Sequence, residues 1–115
     1  MDKILLTMDS TQAYMLTNGI KKYHYCTRAC KIDSTAFIYV KHPINKVIGK
    51  CVIVDVIKNT PDNIWMITSP QSGFTKNQFD SLYKNRTSAV ALEIKDIKLY
   101  KYPKRSEDCK FNMIL

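Results

Sequence analysis

Ser10-Thr11-Gln12-Ala13-Tyr14-Met15-Leu16, followed shortly by Gly19-Ile20-Lys21-Lys22-Tyr23-His24-Tyr25, is the stretch on which the fold of this chain turns. The first run reads as a helix over residues 10–18 with a hydroxyl residue as its cap. Gly19 reads as the left-handed residue that ends it. A basic and aromatic strand begins at Lys21, and from Lys22 to Thr27 its residues alternate as on an exposed strand. Upstream, Ile4, Leu5 and Leu6 mark an apolar strand over 3–7. A strand, a glycine-stopped helix and a charged strand in direct succession deliver Lys21, Lys22, Tyr23 and Tyr25 beside a helix end. Lysines there neutralise phosphates and tyrosines stack on bases.

Working outward, Ala36-Phe37-Ile38-Tyr39-Val40 predicts a buried strand stopped by His42-Pro43. Residues 47–56 form the longest β-rich run, in which Gly49 marks a bulge or a close backbone approach. Thr60-Pro61-Asp62 carries cap, proline and acid in the order that starts a helix. Thr75-Lys76-Asn77-Gln78 has the pattern of a capping box, leading into a helix with Phe79, Leu82 and Tyr83. Residues 89–94 and 97–102 predict two further strands, with Asp96 as a tight link or bend between them. The order β-α-β-β-β-α-α-β-β contains no linker and no repeat. It predicts an α+β fold: a small, strongly curved sheet or barrel of about five to six strands, flanked by two or three short helices. Residues 1–104 form the predicted domain. Residues 105–115 are a tail whose Phe111, Met113, Ile114 and Leu115 either dock as a final strand or contact a partner.

The chain has 115 residues, 45% of them hydrophobic, enough for one domain with its own core. No apolar run approaches the roughly 18 residues of a membrane span, and the apolar run after Met1-Asp2-Lys3 is too brief for a secretory signal. The expectation is a cytoplasmic protein with no membrane partner, in which Cys26, Cys30, Cys51 and Cys109 stay reduced. Cys26 and Cys30, with His24 and His42, have poor spacing for a zinc site, since no second close pair accompanies them. Neither a metal nor a cofactor is expected.

The net charge is +8. Between Lys21 and Lys50 lie Lys22, Arg28, Lys31, Lys41 and Lys46, opposed only by Asp33, and a second series runs through Lys95, Lys98, Lys101, Lys104 and Arg105. Such asymmetry favours an anionic partner, nucleic acid being the commonest. Lysine neutralises phosphate more than it reads bases. The plainer reading is a solvated lysine-rich surface, with Lys21 and Lys22 as strand-edge charges, His24 as a surface histidine and Trp65 as an anchor of helix to sheet.

With these elements placed, the chain resembles the ASCH family of the PUA-like superfamily from about Ile4 to Pro103. Three segments carry the resemblance. The first is residues 4–25, where Gly19 and Lys21 match a G-x-K-x-x-E-x-R-like motif. The second joins Phe37-Ile38-Tyr39-Val40, Pro43, Val47-Ile48-Gly49 and residues 52–56. The third runs from Ser72 to Phe79 and on to the strand at 89–94. The resemblance implies a PUA-like β-barrel with flanking helices. At the motif's Glu this chain has His24, and at its Arg it has Cys26; Arg28 follows two residues later, on the same face of an extended strand. Relatives that hydrolyse acylated cytidine use a lysine, a hydroxyl three residues later and a carboxylate. Lys21 is retained, the hydroxyl position is His24, and the carboxylate position falls near Ser72.

The function this implies is an RNA-binding or nucleotide-binding module with a basic cleft beside the first helix. Lys21, Lys22, Tyr23, His24, Tyr25, Arg28 and Lys41 are its candidate nucleic-acid-binding residues. Compact ASCH-like proteins also occur in phage and mobile elements. A second reading is therefore a phage-associated protein that inhibits a host nucleic-acid-processing or defence complex. A third is an enzyme, an amidohydrolase on a modified nucleoside or a ribonuclease, with Lys21 and His24 as the catalytic candidates. A two-histidine ribonuclease needs His42 to approach His24.

Overall fold

The computed structural model describes residues 2–115. Its elements run β1 (Lys3–Met8), α1 (Ser10–Thr17), β2 (Tyr23–Cys26), β3 (Thr35–Val40), β4 (Lys46–Asn59), α2 (Pro61–Thr68), α3 (Lys76–Leu82), β5 (Ala89–Lys104) and β6 (Met113–Ile114). The six strands form one sheet in the order β2-β5-β4-β3-β1-β6. β1 pairs in parallel with β3, from Lys3 opposite Thr35 to Met8 opposite Val40, and in parallel with β6. The pairings β3–β4, β4–β5 and β2–β5 are antiparallel.

The alternation written into β1 and β3 fixes which side chains face the core. Ile4, Leu6 and Met8 from β1 and Ala36, Ile38 and Val40 from β3 are all buried, and they pack with Ile53, Leu92 and Ile94. Each of the larger aliphatics contributes about 1.5–3 kcal/mol by leaving water. A second cluster lies where α2 and α3 meet β2 and the start of β5, and is built from Tyr25, Ile64, Phe79, Tyr83, Ala89 and Ala91. The Tyr83 hydroxyl ties it to the sheet by donating to the Cys26 carbonyl at 2.7 Å.

The helix starts follow sequence chemistry, with one change. α1 is capped by the Asp9 carboxylate, which accepts from the Gln12 N–H at 2.7 Å, and not by a hydroxyl. A carboxylate satisfies the same free N–H groups and adds charge that suits a helix N-terminus. Thr60 caps α2, and Thr75 with Gln78 closes a reciprocal capping box on α3. Gly19 stands at φ 75° where the chain leaves α1.

Two expectations change. β2 is not an exposed strand: His24, Tyr25 and Cys26 are all buried, because α1 and the α2–α3 region cover what its alternation suggested was open. The break expected at Asp96 does not end a strand. Asp96 takes φ 56° and is absorbed as a bulge between the Val52–Lys95 and Lys50–Lys98 pairs, so β5 continues to Lys104. Of the two alternatives for the tail, it takes the docked one, as β6, with the Leu115 N–H donating to the Leu5 carbonyl and the Thr7 N–H to the Leu115 carbonyl, both at 2.9 Å. Gly49 is the close approach: a Cβ there would run into the Lys98 carbonyl oxygen.

Candidate functional site

A cleft of about 330 Å³ opens beside the start of α1. Its walls come from the end of β1 and the α1 cap (Thr7, Asp9, Gln12), from His24 on β2, and from Phe74 ahead of α3. Arg28 and Lys41, both exposed, lie on its rim. Residues 114–115 of the docked tail form another side. The sheet positions these groups: β2 presents His24, and the parallel pairing of β1 with β3 sets Thr7 and Lys41 at the same end of neighbouring strands.

His24 is 3% exposed, and its ring meets Phe74 edge-on with centroids 5.8 Å apart. Its Nδ1 is buried with no hydrogen-bond partner. Burial above all, then the Lys21 charge, holds the imidazole neutral, well below the usual histidine range; the Thr7 backbone opposes this and Lys41 adds to it. Buried polar atoms are nearly always partnered, so an unpaired imidazole nitrogen on a residue of the cleft wall is a departure from the usual pattern. Gln12, 6% exposed, lines the same cleft.

Lys21 is deeper still, at 1% exposed. Its Nζ donates to the Tyr23 carbonyl at 2.8 Å and to the Ser72 carbonyl at 2.5 Å, and stands 4.8 Å from the centre of the Phe74 ring. Burial pushes its pKa down to about 7, partly opposed by the Asp9 carboxylate. Lys21 therefore ties β2 to the segment before α3 and stands behind the cleft wall.

The other candidates divide between this cleft, which Tyr25 also lines, and a second hollow. Tyr25 is 3% exposed, and its ring packs against Phe74 and Phe79, each at 4.8 Å. Its hydroxyl lies 2.6 Å from Thr68 Oγ1. Because Thr68 already donates to the Ile64 carbonyl, Tyr25 is the donor. Lys22 and Tyr23, together with Lys21, line a separate hollow with Gln71 and Glu93. Burial, then Glu93 and Asp55, raises the Tyr23 hydroxyl pKa. The cleft thus brings together His24, Tyr25, Arg28 and Lys41, with Lys21 behind its Phe74 wall, and not Lys22 or Tyr23. His42 is exposed in the turn after β3 and does not line the cleft.

Two other positions bear on the chemistry. Ser72 stands where the resemblance puts a carboxylate; its hydroxyl donates to the Ser69 carbonyl and accepts from the Phe74 N–H. Cys26 Sγ donates to the Arg28 carbonyl at 2.9 Å, which fixes the loop carrying Arg28, and burial pushes its thiol up to about 12. Sequence reasoning passed over Asp9, Gln12 and Phe74. The first two sit in an ordinary helix start, and the only sign available for Phe74 was its place between Gly73 and the capping box.

The sheet order and helix placement define an α+β architecture, and comparison with known proteins gives the fold its particular name. No protein family model matches the chain. Its structure superposes on the ASCH protein of Zymomonas mobilis with a TM-score of 0.82 at 15% identity, covering 92% of this chain and 75% of that one. A single-residue variant of the same protein gives a TM-score of 0.83 at 14% identity, covering 93% and 78%. This chain has the ASCH-domain fold. Among curated proteins it is 26% identical over 114 residues to the large ribosomal subunit protein uL22 of two strains of Ureaplasma parvum serovar 3. The match takes in 97% of this chain and 36% of that protein, so the chain spans about a third of the length of the curated relatives it matches. Among the described residues, no helix is long and apolar enough to cross a membrane.

Proposed function

We propose that this chain is an RNA-binding module whose cleft beside α1 takes one unpaired nucleotide of the RNA. The observation that carries the reading is the buried, unpartnered Nδ1 of His24 in a cleft wall with cations on its rim. A neutral imidazole supplies a hydrogen bond to a base edge. The Phe74 ring in the wall offers an apolar surface to that base, and Arg28 and Lys41 neutralise the flanking phosphates. The ASCH-like fold supports this reading, as does the likeness to a protein of the large ribosomal subunit, an RNA-based assembly. Fluorescence anisotropy with labelled single-stranded RNA tests it. The intact protein binds with an affinity that falls as salt rises, and Arg28→Ala/Lys41→Ala loses most of that affinity. Equal binding by the double variant removes the cleft from the account.

A second reading has its own observation. A buried amine with a pKa of about 7 is the state in which lysine acts as a base or nucleophile. Hydrolysis of an acylated nucleoside would use Lys21, with His24 where relatives carry the hydroxyl. Turnover of acylated cytidine that is abolished in Lys21→Ala supports it; no turnover by the intact protein ends it.

A further inference from the structure

The second lysine series is not absorbed by the cleft. β2 pairs with β5 only as far as Glu93, so beyond Ile94 β5 pairs with β4 alone and this β4–β5 ribbon forms an edge of the sheet, with β3 on the other side of β4. Lys50 and Lys98 face each other across this ribbon and both are exposed. Like charges directly opposite on neighbouring strands are destabilising. Among the described residues, Lys50, Lys98, Lys101 and Lys104 form no ion pair. The nearby Asp96 carboxylate pairs with none of them, and Arg105 is taken by Asp108 at 3.3 Å. Tyr102 is 74% exposed in the middle of this charge, with the Lys101 Nζ 5.6 Å from its ring centre. Exposed aromatic residues interleaved with unpaired lysines suit a single strand, whose bases stack while its phosphates are neutralised.

The ribbon is also continuous with the cleft. Lys41, on the cleft rim, directly follows Val40, which pairs with Lys46; the next residue, Val47, pairs with Lys104. Adjacent strands lie about 4.8 Å apart, so these three lysines step across three strand ends within roughly 10 Å. We propose that a single RNA strand entering the cleft continues over this edge of the sheet onto the β4–β5 ribbon, where Lys98, Lys101 and Lys104 hold its phosphates and Tyr102 stacks on a base. The inference rests on the cleft reading and extends it: the ligand is a strand of several nucleotides, not a free nucleotide.

The test measures anisotropy of labelled oligonucleotides of about three and about ten nucleotides, a length chosen to span cleft and ribbon at single-strand site sizes. Intact protein, Lys98→Ala/Lys101→Ala/Lys104→Ala and Tyr102→Ala are compared; all four side chains are exposed, so the fold is spared. The intact protein binds the longer strand more tightly. Both variants lose that gain while keeping affinity for the short one. With a salt slope of about 0.7 per phosphate contact, raising salt from about 50 to about 200 mM weakens intact protein roughly 20-fold more than the triple variant. Unchanged long-strand binding by the variants overturns the ribbon and leaves the cleft standing. Equally tight binding of duplex RNA overturns the single-strand assignment. Failure of intact protein to bind either length overturns both proposals.

Discussion

Replacing Lys21 by methionine exchanges a titrating amine for an apolar side chain of similar reach in the same buried place. Lys21 has its pKa lowered from 10.5 to about 7 by burial. At about 1.4 kcal/mol per unit, the folded state disfavours the ammonium by about 5 kcal/mol relative to the unfolded chain. The sign follows from proton counting. Between the two pKa values the unfolded chain holds the proton and the folded chain does not, so stability rises with pH. The penalty is full below about pH 7 and fades as pH approaches 10.5. From about pH 7 to about pH 9 the intact protein gains about 2 kcal/mol from this group alone. Above that, Cys26 and Cys51, whose thiols burial pushes up from 9.0 to about 12, reverse the trend, because they ionise first in the unfolded chain. Urea unfolding across this range reads the effect. The methionine variant leaves the Tyr23 and Ser72 carbonyls without their donor, so its stability at one pH is not the readout. The difference in slope is. A variant that keeps the intact protein's rise from pH 7 to 9 refutes the burial argument for Lys21.

Other expectations follow the same physics. His24 stays neutral in the fold with its pKa well below 6.5, chiefly through burial, so acid draws protons to the unfolded chain; below about pH 6.5 the intact protein loses stability more steeply than His24→Gln in parallel denaturation curves. Gly49→Ala forces a Cβ against the Lys98 carbonyl oxygen and destabilises the β4–β5 pairing by about 1–3 kcal/mol, read from the urea midpoint. Tyr83→Phe leaves the buried Cys26 carbonyl without its 2.7 Å donor and costs about 1–3 kcal/mol by the same measure.

Much of the fold was legible because its signals are local. The capping box at Thr75, the cap–proline–acid order at Thr60, and the alternation of Ile4, Leu6 and Met8 each act within a few residues. The glycine stop after α1 is equally local. What escaped depends on partners distant in sequence. β2 reads as exposed because Lys22, Tyr23, His24 and Tyr25 look like a surface strand; only the arrival of the segment around Ser72 and Phe74, about 50 residues later, buries Lys21 and His24. Asp96 looked like a break because a local bend and an absorbed bulge share the same left-handed backbone, and only the β4 register separates them. The site was legible as chemistry, basic and aromatic beside a helix end, but not as geometry. His24, Tyr25, Arg28 and Lys41 meet in one cleft, whereas Lys21, Lys22 and Tyr23 line another hollow.

The central claim is that the cleft holding His24 receives an RNA nucleotide. The most direct test is nitrogen-detected NMR of the two imidazoles during titration with a short single-stranded RNA. The protein has two histidines: His24, buried with a free Nδ1, and His42, exposed outside the cleft. The account predicts that the Nδ1 resonance of His24 shifts on binding as it gains a hydrogen-bond partner, while His42 stays in place. Saturable RNA binding that leaves His24 unmoved contradicts it.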